Sequence, residues 1–242
     1  MSVASGSVAS GSKVLHMKCA LVVKGAFDAV LVPAFEASSV YALDIDWAPT
    51  TVIMAKLAEG AVADVLLVVA DSLDELIAQG QVDAGTKRVV LRSRIGVAVA
   101  KGMPHPDISD LDAFKRAMTA ARSVCYSRGG QSGVHFAPML QRIGIADAVN
   151  AKATIIPAGF TAEKLVTGEA DIAIQQLSEL AVVPGTEIVG PLPDAVQKVS
   201  TFAAGVMTGS AHPEAASRFV EFLTTDAAFA AYKAARLDPA CD

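Results

Sequence analysis

Short apolar runs alternate with segments of helical spacing along the first ninety residues, and this alternation constrains the fold most strongly. "KVLHMKCA" (13–20), "YALDIDWAP" (41–49) and "ADVLLVVA" (63–70) have the length and apolar content of strands. Each run is followed by a segment with apolar residues three or four apart, which is typical of helices. A repeated strand–helix order predicts a doubly wound α/β fold with a parallel sheet, and the continuous run at 63–70 indicates a strand buried on both faces.

The same order returns in the second part of the chain, after one unusually long strand-like run at 88–102. A strand of this length can leave one domain and enter another. Two crossings, near 96–102 and 191–198, would then join two lobes and place a ligand cleft between the carboxyl ends of both sheets. The predicted organisation is a disordered leader at 1–12, lobe one at 13–101 plus 199–242, and lobe two at 102–198.

Two local features of lobe one bear on its helices. Pro33 lies inside the helical span 23–39 and is expected to kink or shorten it. Thr50 and Thr51 precede an apolar helix, so their hydroxyls are candidate N-caps. A cap leaves other N–H groups of the first turn free, and the two threonines are therefore also candidates for ligand contact.

Composition and charge argue against several classes of protein. The chain has 242 residues, of which 52% are hydrophobic, and a formal net charge of −5 without a basic block, so no nucleic-acid partner is expected. No apolar run reaches the roughly 18 residues of a membrane span, and we expect no membrane insertion. The three cysteines and four histidines lack disulfide-type or metal-type spacing. We expect no metal and no cofactor.

The N-terminal segment "MSVASGSVASGS" lacks the charged and apolar regions of a secretory signal. We interpret it as a disordered leader. The protein is then predicted to be periplasmic if a signal peptide has been removed, and cytoplasmic otherwise.

The stretch "CYSRGGQSGVHF" (125–136) places small residues and one cation just before a predicted helix. Small residues allow backbone N–H groups to converge on an anion at a helix N-terminus. Arg128 offers a planar guanidinium, which matches a carboxylate through two parallel hydrogen bonds. We therefore predict an anion site that includes this loop.

Taken together, six stretches resemble the type 2 periplasmic solute-binding proteins, and most closely the branch related to molybdate-binding proteins. The stretches are "KVLHMKCALVVKGAFDAVLVPAFE", "ADVLLVVADSLDELIAQGQV", "RSRIGVAVAKGMPHPDISDLDAFKRAM", "SGVHFAPMLQRIGIAD", "GEADIAIQQLSEL" and "HPEAASRFVEFLTT". This branch also includes enzymes similar to aconitate isomerase. The resemblance implies two α/β lobes that close on a small anion, and an ABC transporter membrane component as a partner of the monomeric protein.

The resemblance also implies ligand contacts from loops at strand ends and from helix N-termini. In lobe one these positions are Cys19, Ala20, Thr50, Thr51, Val69 and Ala70. In lobe two they are Ser127, Arg128, Gly129, Gly130, Ser132, Pro157, Gly159 and Gln175.

Three positions depart from the pattern of molybdate binders. Relatives usually carry a serine where this chain has Cys19, and molybdate binders tend to place a serine near Val69. The loss of two hydroxyls and the gain of Arg128 favour a small organic carboxylate over a metal oxyanion.

Two functions remain open from the sequence. The first is a solute-binding protein that delivers its ligand to an ABC transporter. The second is an isomerase that shifts the double bond of an unsaturated tricarboxylic acid in the same cleft. Such an enzyme needs one group to move a proton, and the sequence candidates are Cys19, a threonine and His135.

Overall fold

The computed structural model describes residues 13–240, so the predicted leader at 1–12 lies outside the described residues. The first part of the chain forms β1 (Lys13–Cys19), α1 (Lys24–Ala26), α2 (Val32–Ser38), β2 (Tyr41–Trp47), α3 (Thr50–Ala58), β3 (Val65–Val69), α4 (Ala70–Ala78) and β4 (Arg88–Ala100). The middle part forms α5 (Leu111–Ala120), β5 (Val124–Ser127), α6 (Gln131–Arg142), α7 (Ala146–Asn150), β6 (Thr154–Ile156), α8 (Glu163–Val166), β7 (Ile172–Gln176), α9 (Leu177–Ala181) and β8 (Thr186–Pro191). The last part forms β9 (Val199–Val206), α10 (Pro213–Phe222), α11 (Asp226–Ala234) and β10 (Asp238–Pro239).

The strands form two α/β lobes, as the alternating pattern predicts. In the described residues the strand order is β2-β1-β3-β9-β4-β7-β5-β6, and β8 and β10 also pair with β4. The neighbours β1, β2 and β3 are parallel, and so are β5, β6 and β7. Strand β9 returns from lobe two and runs antiparallel to both β3 and β4. The predicted parallel sheets are therefore confirmed, with an antiparallel return strand in lobe one.

Strand β4 connects the lobes by changing partners along its length. Up to Arg94 it pairs with β9 of lobe one, and from Ile95 onward it pairs with β7 and β8 of lobe two. Gln197, which lies in the second crossing, is hydrogen-bonded to Ile95 in the first crossing. The Gln197 amide nitrogen donates to the Ile95 carbonyl at 2.9 Å, and the Gln197 amide oxygen accepts from the Ile95 N–H at 3.0 Å. The predicted domain boundaries at residues 101 and 199 stay a prediction.

Each sheet is covered by apolar side chains on both faces. In β3, Leu67 belongs to a core cluster with Phe27 and Phe219, whereas its neighbour Leu66 belongs to a second cluster with Ile53. Successive strand residues point to opposite faces, so a strand between two helical layers must be apolar throughout. The prediction that 63–70 forms a strand buried on both faces is confirmed.

The helix that contains Pro33 is not shortened. Helical residues continue from Lys24 to Ser38, with a π-type turn at Phe27–Leu31 before α2. Because the hydrogen-bond pattern resets after this wider turn, Pro33 falls in the first turn of α2, where its missing N–H costs little. The expected distortion takes the form of the π turn.

Gly133 has the least room for a side chain of the glycines in lobe two, since a Cβ there would overlap the carbonyl oxygen of Ser127. We predict that Gly133→Ala lowers the free energy of unfolding by about 1–3 kcal/mol or more, because overpacking forces backbone shifts. Gly209 is the matched control, because a Cβ added at this position would have no neighbour within 4 Å. Urea denaturation of both variants tests this, and equal stability of Gly133→Ala and Gly209→Ala would contradict the packing argument.

Candidate functional site

A cleft between the two lobes brings together several loop ends that the sequence indicates. From lobe one it is lined by Ala20, Leu21, Pro49, Thr50 and Phe202, and from lobe two by Ser127, Gly130, Gln131, Gly159, Gln175, Gln176 and Glu179. The space between these residues is about 370 Å³, but only about 20 Å³ of it can hold the centre of a water molecule. That is room for little more than one water, so the lobes are closed over the site.

A hydrogen bond joins the lobes at the edge of the cleft. The Thr51 hydroxyl donates to the carbonyl oxygen of Gly129 at 2.6 Å. Gly129 also lies against the next loop, where a Cβ added to it would be 3.0 Å from the Pro157 carbonyl oxygen. Thr51, Gly129 and Pro157 thus form the rim of the cleft, and none of them is in its lining.

Thr50 and Thr51 do not cap α3, and the prediction that they do is wrong. The N-cap position is Pro49, and no side chain accepts a hydrogen bond from the first turn. The Thr50 oxygen instead accepts from the backbone N–H of Val69 at 3.3 Å, and Thr51 is engaged with lobe two. The reason is that both residues lie inside the helix, where a side chain cannot reach the N–H groups of the first turn. The Val52 N–H donates to the Pro49 carbonyl at 2.9 Å, whereas the Thr50 and Thr51 N–H groups have no partner within α3.

Helix α6 also begins at the cleft without a side-chain cap. By contrast, α5 begins with the Asp110 carboxylate accepting from the Ala113 N–H. Beside the start of α6, the hydroxyls of Ser127 and Ser132 are buried and have no hydrogen-bond partner. Buried polar groups are nearly always paired in folded proteins, so two unpaired hydroxyls beside a helix N-terminus indicate a ligand position.

The two glutamines at the end of β7 differ in their contacts. Gln175 is committed to the protein: its amide oxygen accepts from Thr161 N–H at 2.8 Å, and its amide nitrogen donates to the Gly159 carbonyl at 2.9 Å. Gln176 is only 2% exposed, and neither its amide nitrogen nor its amide oxygen has a partner. Of these two glutamines at the end of a strand, only Gln175 is among the predicted contacts, although Gln176 is the one whose side chain is available to a ligand.

Glu179, in α9, is a lining residue that the sequence analysis missed. Its side chain is buried, and burial raises the pKa of this carboxyl to about 7, while the backbone amide of Gln176 and the side-chain amide of Gln175 act in the opposite direction. A sequence signal exists, because Glu179 follows the buried strand end "IQQ" by only three residues. It is the one ionisable side chain among the described residues that line the cleft.

Arg128 is not in the lining of the cleft, although Ser127 and Gly130 of the same loop are. Its side chain is exposed, and its N–H donates to the Ile156 carbonyl at 2.9 Å. Burial raises the pKa of the Tyr126 hydroxyl, and the positive charge of Arg128 acts in the opposite direction. A role of Arg128 as a carboxylate clamp stays a prediction.

The two candidate proton carriers named from the sequence lie outside the lining. Cys19 is fully buried in the lobe-one core, its thiol points to the Ala20 carbonyl, and burial raises its pKa well above the ordinary value. His135 faces the second crossing, where its Nε2 is 2.9 Å from the Val196 carbonyl oxygen. Val69 and Ala70 are buried beside the cleft but do not line it. Of the predicted contacts, six are in the lining: Ala20, Thr50, Ser127, Gly130, Gly159 and Gln175.

Within residues 13–240, no three His, Cys, Asp or Glu side chains are grouped so as to hold a metal ion. In the same range, none of the helices has both the length and the apolar character needed to cross a membrane.

Comparisons with known proteins agree with this architecture. A family model described as bacterial extracellular solute-binding protein matches residues 15–235. An aconitate isomerase from a Pseudomonas species is 39% identical over 213 residues, which is 86% of this chain and 81% of that protein.

Two solved structures share the fold at low sequence identity. The periplasmic molybdate-binding protein of Azotobacter vinelandii superposes with a TM-score of 0.74 at 18% identity, covering 92% of this chain and 98% of that one. The sulfate-binding protein SubI of Mycobacterium tuberculosis superposes with a TM-score of 0.75 at 20% identity, covering 94% and 87%. These similarities confirm the predicted fold class, the type 2 periplasmic-binding-protein fold.

The raised pKa of Glu179 predicts a pH-dependent stability. A carboxyl whose pKa is higher in the folded state stabilises the fold below its unfolded pKa, and this contribution is lost as the pH rises through the folded pKa. With a rise from 4.5 to about 7, the wild type should lose roughly 3 kcal/mol relative to Glu179→Gln between about pH 4.5 and pH 8.

Urea denaturation of both proteins across this range checks the prediction. Glu59→Gln is the control, because Glu59 is exposed at the end of α3. A stability difference between wild type and Glu179→Gln that does not change with pH would show that Glu179 ionises normally.

Proposed function

The chain belongs to the bacterial extracellular solute-binding proteins, and on that premise we propose that its cleft binds a small unsaturated carboxylic acid and shifts a carbon–carbon double bond in it. The observation that carries this proposal is a closed, water-poor cleft whose buried Ser127 hydroxyl and buried Gln176 amide have no partner in the protein. The unpaired hydroxyl of Ser132, in the first turn of α6, lies outside the lining. The hydroxyl and the amide of the lining match an anionic ligand, and the closed lobes suit a reaction that water would disturb.

The donors of the cleft fit a carboxylate. The unpaired hydroxyl of Ser127 and the amide N–H groups of Gln176 each donate to an oxygen, and the first turns of α3 and α6 add backbone N–H groups. Both helices have their N-termini here, so their dipoles favour negative charge. Binding therefore does not require a cation in the lining.

A double-bond shift needs little beyond such a site. A proton must leave a carbon next to a carboxylate and return to another carbon of the same conjugated system. The negative charge that develops between these two steps spreads onto carboxylate oxygens, where the same hydroxyl, amide and backbone donors hold it. The 39% identity to an aconitate isomerase over most of both chains supports an unsaturated tricarboxylic acid as the substrate.

A second candidate function is transport, in which the protein binds the acid outside the cytoplasm and delivers it to an ABC transporter. The family supports it. So does the hydrogen bond between Thr51 and Gly129, which would break if the lobes open by rotation at the crossings. Both functions begin with the same binding step and differ in whether the bound acid is changed.

Conversion of the acid is the direct test. We expect cis- or trans-aconitate to raise the melting temperature of the protein, because a ligand of the folded state stabilises it. On incubation with one isomer, NMR should show the other double-bond isomer. Micromolar binding of molybdate in calorimetry, with no response to any organic acid, would contradict the proposal. Tight binding of aconitate without conversion would leave transport as the function.

The unpaired hydroxyl of Ser127 allows a sharper test of the binding mode. Ser127→Ala should weaken acid binding about 10- to 100-fold, because hydrogen bonds to charged groups contribute about 1.5–3 kcal/mol. The free protein should not lose stability, since the hydroxyl has no partner to lose. Ser217, whose hydroxyl bonds the Pro213 carbonyl in α10, is the control. Calorimetry and urea denaturation measure both effects, and unchanged affinity in Ser127→Ala would remove this hydroxyl from the site.

A further inference from the structure

We propose that Glu179 is the catalytic acid and base of this cleft, whose carboxyl takes a proton from one carbon of the bound acid and returns it to another. The inference rests on the proposed function and adds to it the group that performs the chemistry. Glu179 lies in the lining of the cleft together with Gln176, and the start of α3 lines the cleft from the other lobe.

The candidates named from the sequence do not suit this role, because Cys19 and His135 lie outside the lining and Thr50 is an alcohol. The Cys19 thiol is sealed in the lobe-one core, and His135 is held against the second crossing by the Val196 carbonyl. Thr50 does line the cleft, but its oxygen accepts from the Val69 N–H, and an alcohol is a poor base. Among the described lining residues, only Glu179 carries a group that gains and loses a proton near neutral pH.

Among the described elements that pack against α9, no side chain supplies a counter-charge to Glu179. Helix α9 packs against α1, β4, β7, β8 and the 3₁₀ turn Leu21–Val23. The charged side chains on those elements are engaged elsewhere or exposed. Three form ion pairs: Lys24 with Asp28, Arg94 with Asp238, and Glu187 with His105. Arg88 donates to the carbonyls of Gly85 and Lys87, and Arg92 is exposed. Burial therefore sets the pKa of the carboxyl at about 7.

This pKa suits a group with two tasks. Near neutral pH both the carboxylate and the carboxylic acid are present in useful amounts, so one side chain can accept a proton and later donate it. Gln175 acts as a positioning residue beside it, since Thr161 and Gly159 fix the orientation of the Gln175 amide. The amide of Gln175 then has one N–H left to direct toward Glu179.

The step balances without any further reactant. The Glu179 carboxylate removes a proton from the carbon that lies between a carboxylate and the double bond. The C–H electron pair forms a new double bond, and the original double-bond pair moves into the conjugated carboxylate to give a dienolate. The protonated Glu179 then gives its proton to the far alkene carbon, and the dienolate electrons form the new C–H bond. No net proton and no electron is gained or lost.

The test compares Glu179→Gln with wild type, using aconitate isomers as the probe. Glutamine keeps the shape and cannot ionise, so calorimetry should show binding equal to or tighter than that of wild type. Turnover, followed by NMR in deuterated water, should fall at least 100-fold, and exchange of substrate hydrogens should fall with it. Glu163→Gln, on the exposed start of α8, is the control and should match wild type.

A second variant and a pH profile keep the proposal open to contradiction. Glu179→Asp retains a carboxyl and should keep part of the activity, and kcat/KM of the wild type should rise with an inflection near pH 7. Isomerisation by Glu179→Gln within threefold of wild type would overturn the role of Glu179 and leave the proposed function standing. Binding by wild type without isomerisation or exchange would overturn both. Equal loss of binding and turnover in both variants would make Glu179 a ligand-holding residue and also overturn its catalytic role.

Discussion

Strand β4 belongs to the sheets of both lobes, and the position of the cleft follows from this shared strand. Its partners change between Arg94 and Ile95, so the two sheets meet along one backbone segment. Gly96 follows at once, and a side chain there would collide with Leu177 of α9. Because β7 ends beside this crossing, Gln176 and Glu179 are carried to the interface of the lobes.

Closing the lobes leaves polar groups buried and unpaired, which is unfavourable unless something binds them. The hydroxyls of Ser127 and Ser132 and the amide of Gln176 lack partners, while the rim is already tied by Thr51 and Gly129. An unsatisfied buried polar group costs about 1–3 kcal/mol. A carboxylate that fills the cleft removes this cost for the Ser127 hydroxyl and the Gln176 amide, so ligand binding and lobe closure should stabilise each other.

The sequence predicts the elements of this protein better than the direction of its side chains. The strand at 63–70 and the loop from Ser127 to Gly130 carry local patterns, and the structure confirms the strand and places part of the loop in the lining. Cys19 follows the same pattern, yet its side chain enters the core and the next residue, Ala20, lines the cleft. Successive strand residues face opposite sides, so one position decides the outcome.

Glu179 is a site residue that the sequence does not predict. A glutamate in a short polar-apolar helix is usually exposed, and only the packing of α9 between the lobes buries this one. Burial is a tertiary property that the segment "LSELA" does not carry by itself. The same holds for Arg128, whose charge and loop position favour ligand contact in the sequence, whereas its side chain is exposed and is not in the lining of the cleft. The proposed chemistry therefore depends on one carboxyl in the cleft with a raised pKa, which is able to move a proton at neutral pH.

Carbon-13 NMR of protein labelled at the glutamate carboxyls measures the pKa of Glu179 directly, with the Glu179 resonance assigned by its loss in Glu179→Gln. We predict that this resonance titrates near pH 7 in the free protein. A midpoint in the ordinary range for glutamate, about 4.3, would contradict it.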